Sequence, residues 1–485
     1  MPLVTALSES ASAQVVNRMT RSRFKGVGRI IAAWMGRALP TVLAAHSLPA
    51  DPRSIDTVDG LTGLYSRAAL VDRIERHADL PSDHDAARFA LICLDLDNLK
   101  NINGTLGYTA GDAVLVSTAE RLSGLMQADE SLYRIDGDKF IAFVGSETKA
   151  QVLQRGTVLL DALRSAHRIE GYDLLLTASV GVVQAPKHGR DARTLLQSAD
   201  IAVDAAKSLG RNNVVRFDRG MRAALERRVR LTQALRRALT DGAGLYLVFQ
   251  PKFSARDGRM RGAEALLRWR HPELGEVSPG EFVPLAEQAG LACTLDTCVF
   301  DRVAEQLARW VAIGATPRIC VNLSALTLVV RDAADRLLAI IHRQGVDPRQ
   351  LDVEVTESED IGASAAVTAN LQRFRAAGVG IALDDFGTGH SSLRYVQALP
   401  LTALKIDRCF ITNIDRSDHK SVSILRATIT LARELGLLIV AEGVETASQR
   451  EWLARHDCDL LQGFLLERPL DADTFTARYL AAASG

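Results

Sequence analysis

The second half of the chain repeats one pattern: a short β-prone apolar run that ends in a polar residue, followed by a segment long enough for a helix. The runs are "RGAEALLRW" with Glu264, "RICVNLSA" with Asn322, "LDVEVTESE" with Glu354 and Glu357, and "GIALDDFGTG" with Asp384 and Asp385. They continue with "ALKIDRCF" carrying Lys405, "LIVAEGVE" carrying Glu442 and "DLLQGFLLERP" carrying Gln462. Repeated strand–helix units of this kind predict a parallel barrel, whose functional residues gather at the C-terminal ends of its strands.

A single acid at a strand end is ordinarily a helix N-cap or a solvated turn. So many on successive units, joined by Asn322, Lys405 and Gln462, would repel one another unless cations sat among them. Oxygen donors without clustered histidine or cysteine favour magnesium or manganese over zinc. Two such ions could clamp a phosphodiester during in-line displacement by water. Sugar-phosphate lyases and aldolases on barrels also use strand-end lysine and acids, so the residues alone leave both chemistries open.

The motifs "FQP", "GAEALLRW", "SPGEFVPLAEQAG", "VNLSA", "EVTES", "DDFGTGHSSL", "LKIDRCF", "AEGVE" and "LQGF" resemble the EAL family of cyclic di-GMP phosphodiesterases over Leu245 to Leu480. The resemblance implies a modified TIM-type (β/α)8 barrel that opens cyclic di-GMP to linear pGpG with two Mg2+ or Mn2+ ions. It makes Glu264, Asn322, Glu354 and Asp384 ligands of one metal, with Asp385 and Glu442 serving the second ion and its water. Lys405 would hold the nucleophile or stabilise phosphoryl charge. Gln250, Arg268 and Gln462 would bind substrate or support the site, and Glu357 would anchor the loop after "DDFG". A homodimer through this domain is also implied. His390 replaces the usual tyrosine of that loop, and Thr402 an acid common before "LKID".

The first half, about Asp56 to Asp218, alternates strands and helices around one hairpin, which predicts a compact α/β sandwich. "RFALICLDLDNL" is an apolar strand ending in Asp95 and Asp97, whose alternation puts both carboxylates on one face. In "LYRIDGDKFIAF" two apolar runs flank Asp136-Gly137, which marks a tight turn there. Together with "DGLTGLYSR", "DLDNLKNINGTLGYTAGD" and "SADIAVDAAKSLGRNNV", these pieces resemble a GGDEF domain, the diguanylate cyclase family, a palm-like five-stranded sheet flanked by helices. In that family the residues matching Asp95 and Asp138 hold metal, and those matching Asn103 and Asp112 read guanine.

The signature here reads DGDKF. Asp136 puts a carboxylate where a glycine backbone should approach a triphosphate. Lys139 replaces an acid near metal, and a unit charge at ~4 Å counts for about 4 kcal/mol at an effective dielectric of about 20. The family's inhibitory Arg-x-x-Asp is also absent, the position reading Gln127-Ala128-Asp129-Glu130. Cyclase activity is therefore expected to be lost. The remaining Asp95, Asn103, Asp112 and Asp138 leave either GTP-binding regulation or a scaffold role.

With 485 residues and 47% hydrophobic content the chain can bury more than one core. Its 58 basic and 58 acidic residues balance, which argues against a DNA or RNA polymer as partner. Six scattered cysteines without CxxC pairs fit a reducing, cytoplasmic setting. Residues 1–55 form a basic extension whose Arg18 to Arg37 segment could lie on an anionic membrane surface, although Arg37 and Pro40 break the apolar run too early for a spanning helix. Residues 56–219, a solvent-facing linker helix over 220–240, and 241–485 complete the expected organisation. A non-catalytic cyclic di-GMP receptor and a bifunctional cyclase/phosphodiesterase stand as the alternatives.

Overall fold

The computed structural model describes residues 57–78, 88–145, 148–169, 171–356, 364–386, 393–415 and 419–481. The basic N-terminal extension, Glu357 and His390 lie outside these residues, as does the side chain of Asp385. The chain divides into two compact units, Met1–Glu226 and Arg227–Gly485.

The first unit is built on strand β1 (Phe89–Leu96), whose eight residues are all buried. It lies antiparallel between β3 (Lys139–Val144) and β6 (Ala178–Ala185), and β2 (Ser131–Asp136) and β7 (Val214–Arg216) complete the sheet in the order β2-β3-β1-β6-β7. Strands β4 (His167–Ile169) and β5 (Tyr172–Leu174) form a separate hairpin. An apolar run can be buried on both faces only if helices cover both. Successive side chains of β1 therefore divide between two cores. Ala90, Ile92 and Leu94 pack with Val114 and Leu159 of helices Tyr108–Ser123 and Lys149–Leu163. Phe89, Leu91 and Cys93 pack with Leu70 and Val203 of helices Arg67–Ala78 and Ala192–Ser208. The expected sandwich is present.

The hairpin turn lies one residue later than Asp136-Gly137 suggested. Asp136 pairs with Lys139, so Gly137 and Asp138 form the loop, with Gly137 at φ +49°. An irregularity between Arg134 and Asp136 shifts the register by one.

In the second unit, β9 (Met260–His271), β11 (Ile319–Asn322), β12 (Leu351–Thr356), β13 (Gly380–Phe386), β14 (Ala403–Ile406), β15 (Leu438–Ala441) and β16 (Leu460–Leu461) run parallel. Strand β8 (Leu245–Ser254) closes the ring antiparallel to both β9 and β16. The expected (β/α)8 barrel thus has one reversed strand. Only a hairpin at Arg256-Asp257-Gly258, with Gly258 at φ +68°, separates β8 from β9, whereas a parallel neighbour would need a long crossover. A short strand β10 (Gly275–Val277) folds back on β9 outside the ring.

Helix Arg219–Asp241 is less solvent-facing than its arginines suggested. Leu231, Leu235 and Ala238 are buried with Trp269 and Phe282, and Arg227 donates to Glu281 at 2.6 and 3.0 Å. The four-residue spacing of its apolar side chains makes that stripe.

Candidate active site at the strand ends of the barrel

Consecutive barrel strands each contribute one inward-facing polar side chain. Glu264 stands on β9, Asn322 ends β11, Glu354 is on β12, Asp384 on β13 and Lys405 on β14. Glu442 and Gln462 follow β15 and β16 directly, their backbone N–H groups donating to Ile406 O at 3.1 Å and Ala441 O at 2.9 Å. Those bonds continue the ladder by one residue and fix where the two side chains begin.

Lys405 is the hub. Its ammonium lies 2.6 Å from Glu354 Oε2, 2.5 Å from Glu442 Oε1, 3.1 Å from Asp384 Oδ2 and 3.9 Å from Glu264 Oε2, and the residue is 1% exposed. Burial works against the charge on Lys405, but the surrounding carboxylates of Glu264, Glu354, Glu442 and Asp384 override it and hold its pKa well above the usual lysine value. Glu354 feels the converse. Its burial would raise the carboxyl, yet Lys252 on one oxygen (2.7 Å) and Lys405 on the other pull it well below the ordinary range. Glu442 is pushed up to about 8, chiefly by burial, with Lys405 opposing and Glu264 and Asp384 adding to the rise. Glu264 is also raised, first by burial and then by Glu354.

Glu264 is oriented by two amides. Asn322 Nδ2 donates to its Oε1 at 2.7 Å and Gln462 Nε2 to its Oε2 at 2.8 Å. Gln462 also donates to Gln250 Oε1 at 3.1 Å, and Gln250 Nε2 to Glu467 O at 3.3 Å. The Oε1 of Gln462 is buried and accepts no hydrogen bond. Arg268 donates to Leu267 O at 3.0 Å and, with Asn322 and Glu354, lines a cavity of about 400 Å³ walled by Phe282, Val283 and Pro284. Strand-end residues named from the sequence therefore converge wherever their side chains are described. Thr402 serves a backbone role: its hydroxyl accepts from Ile381 N at 2.8 Å and donates to Ile381 O at 3.0 Å, tying β14 to β13.

The donor set suits a hard divalent cation. Four buried or half-buried carboxylates face two ammonium groups, an excess of negative charge, and a buried amide oxygen lacks a donor. Among the described residues no three acids, histidines or cysteines form a metal cage by themselves, because the lysine ammonium groups sit between the carboxylates.

Lys252 was not among the residues singled out from the sequence. The "FQP" motif stops one residue before it, but Gln250 and Lys252 alternate onto the same inner face of β8. A charged residue two positions from a site residue on one strand was the available signal.

In the first unit the degenerate signature is occupied by internal ion pairs. Lys139 reaches Asp200 at 2.8 Å, and Lys207 reaches Asp95 at 2.7 Å. Burial raises the Asp95 carboxyl, Lys207 counteracts it, and the charge of Asp138 adds to the rise; Leu96 N donates to Asp138 O at 3.2 Å, which puts the hairpin loop beside the end of β1. Asp97, by contrast, is structural, accepting from Thr177 Oγ1 and Ser179 Oγ, both at 2.8 Å. Asn103 Oδ1 is buried without a partner above Gly111, where a Cβ would come within 1.8 Å of it, and Asp112 is exposed. Asp59 of "DGLTGLYSR" holds the hairpin through Arg134 at 2.9 Å.

Comparison with known proteins follows the same division. The family described as "Diguanylate cyclase, GGDEF domain" matches residues 56–213, and that described as "EAL domain" matches residues 232–469. The chain belongs to the GGDEF–EAL family. Its EAL domain holds the strand-end cluster and its GGDEF domain the DGDKF hairpin. The "Bifunctional diguanylate cyclase/cyclic di-GMP phosphodiesterase MucR" of Pseudomonas aeruginosa is 38% identical over 420 residues, covering 86% of this chain and 61% of MucR. The "Cyclic di-GMP phosphodiesterase NbdA" of the same organism is 35% identical over 421 residues, covering 86% of this chain and 53% of NbdA. The chain thus spans between half and two thirds of the length of these relatives. The solved GGDEF–EAL structure of Vibrio cholerae LapD has the same fold, with a TM-score of 0.53 at 18% identity over 85% of this chain and 96% of that one.

Proposed function

We propose that the EAL domain hydrolyses cyclic di-GMP to linear pGpG with Mg2+ or Mn2+, and that the GGDEF domain does not make cyclic di-GMP. The observation that carries the first statement is the ring of Glu264, Glu354, Asp384 and Glu442 around Lys405, with Gln462 Oε1 left without a donor. MucR and NbdA, whose names include this activity, support it.

Glu264, Asn322, Glu354 and Asp384 would hold one ion, and Asp385 and Glu442 would serve the second. When bound, such ions supply Lewis acidity and a water of lowered pKa. The chain's own residues do the rest. Lys405, fixed by its carboxylate contacts, places a cation where negative charge grows on the phosphoryl oxygens. Asn322 and Gln462, the latter also bonded to Gln250, keep Glu264 in one orientation. Arg268 presents a guanidinium fork suited to a phosphate at the cavity wall, and Phe282, Val283 and Pro284 limit water there.

The initial rate of pGpG formation, followed chromatographically in Mg2+ and in Mn2+, tests this reading. Lys405→Met should lower the rate by ~10²-fold or more while the circular dichroism spectrum is kept. No turnover by the parent protein in either metal would replace the enzyme by a receptor. For the GGDEF domain, incubation with GTP should yield no cyclic di-GMP. Asp95, Asn103, Asp112 and Asp138 keep parts of a nucleotide site, so GTP is the ligand to add to the hydrolysis assay, and a GTP-dependent rate lost in Asp138→Ala would mark regulation.

A further inference from the structure

A second cavity, of about 820 Å³, opens at the other end of the EAL barrel. Its walls come from the N-terminal ends of the parallel strands: Gly262 and Ala263 of β9, Arg318 just before β11, Asp352 of β12, Thr402 before β14 and Leu460 of β16. The mouth is ringed by exposed arginines, and the buried residue Lys252 is among those that line it.

The charges there do not cancel. Arg318 is held by Asp352 in a two-pronged pair at 2.6 and 2.8 Å, and Arg261 by Asp257 at 2.5 Å. Arg349 and Arg375 have no carboxylate partner among the described residues, and Arg375 donates only to the backbone oxygen of Val379, at 2.9 Å. One further acid, Asp459, lines the cavity, and its Oδ2 is engaged by Ile439 N at 2.8 Å. Arg349 and the remaining donors of Arg375, neither paired with a carboxylate among the described residues, match the planar, bidentate geometry of phosphate oxygens. No aromatic side chain lines the cavity.

We propose that this end of the barrel is a binding site for a small phosphate-bearing polyanion, recognised through its phosphate chain by Arg349 and Arg375. The site is distinct from the strand-end cluster, yet Lys252 belongs to both, lining this cavity and donating to Glu354 at 2.7 Å.

Isothermal titration of the full chain with inorganic tripolyphosphate, in buffer free of divalent cations, tests the site without reference to hydrolysis. Saturable one-site binding is expected, weakened at least tenfold in the Arg349→Ala/Arg375→Ala variant and unchanged in Asp138→Ala. Both arginines are exposed, so the variant should fold, which its thermal unfolding will check. Titration with GTP and with ATP separates the sources of the phosphate chain: affinities within a few-fold of tripolyphosphate support phosphate recognition. No binding at millimolar tripolyphosphate, or equal affinity in parent and double variant, would overturn the proposal, as would a tenfold preference for ATP over tripolyphosphate.

Discussion

Glu354 is the residue on which both buried lysines depend, since Lys252 and Lys405 each take one of its oxygens. Removing one partner of a buried ion pair strands the other charge, so Lys252→Met should cost about 3 kcal/mol in denaturant unfolding of the metal-free protein. A double-mutant cycle with Glu354→Gln should return a coupling of about 1 kcal/mol or more, and additive losses would deny the pair. A different buried acid, Asp296, gives a pH signature. Burial is the larger influence and pushes its carboxyl up to about 6, against the hydrogen bonds from Thr327 (2.5 Å) and Ser324 N (3.2 Å). Its folded pKa lies above the unfolded value of 3.8, so the folded state holds the proton more tightly. The stability penalty is thus absent below about pH 4, grows as pH rises towards 6, and is complete above it, worth up to ~3 kcal/mol. Asp296→Asn, whose amide oxygen can accept the same two bonds, should raise the denaturation midpoint at pH 8 and leave it unchanged near pH 3.5. At this scale the sequence was most legible where one residue type recurred at equivalent strand ends, as with Glu264, Glu354 and Asp384. Lys252 was hidden because its meaning depends on a strand that joins the ring in the reverse direction.

Among the elements, helix Arg219–Asp241 separates its two faces sharply. Leu235 is fully buried whereas Val229 is 50% exposed, so Leu235→Ala should cost 2–4 kcal/mol and Val229→Ala less than about 0.5, read from the same unfolding curves. The contact between the segments that follow β16 and β15 is tighter still. A Cβ on Gly463 would come within 2.2 Å of Val444 N and O, and Val444 N donates to Gln462 O at 3.0 Å. Gly463→Ala must push these backbones apart and move Gln462 off Glu264, so pGpG formation should fall by at least about tenfold if the proposed hydrolysis holds. Strands and hairpins were readable from apolar runs and turn residues. The one-residue shift of the DGDKF turn and the buried half of the helix were not, because a register irregularity and the packing partners of a stripe are tertiary facts.

Over the whole molecule, the two domains were legible to different depths. The GGDEF sandwich followed from strands and helices alternating around one hairpin, and the loss of its signature from Asp136 and Lys139, although the sequence could not say that Lys139 would reach for Asp200 and leave Asp95 to Lys207. The barrel followed from its repeat, while its reversed strand did not. That strand carries a consequence for synthesis. On the emerging chain β8 pairs at once with β9, its neighbour across a short hairpin, but its other edge waits for β16, and the bond between Gln250 and Gln462 spans 212 residues. Contacts so distant in sequence form late. Until the last two-residue strand arrives, every nascent barrel carries an unpaired edge open to other chains. A chain ended after Asp459 should therefore pellet where the full chain stays in the supernatant, which makes Leu460 and Leu461 the latch that ends the chain's exposure to aggregation.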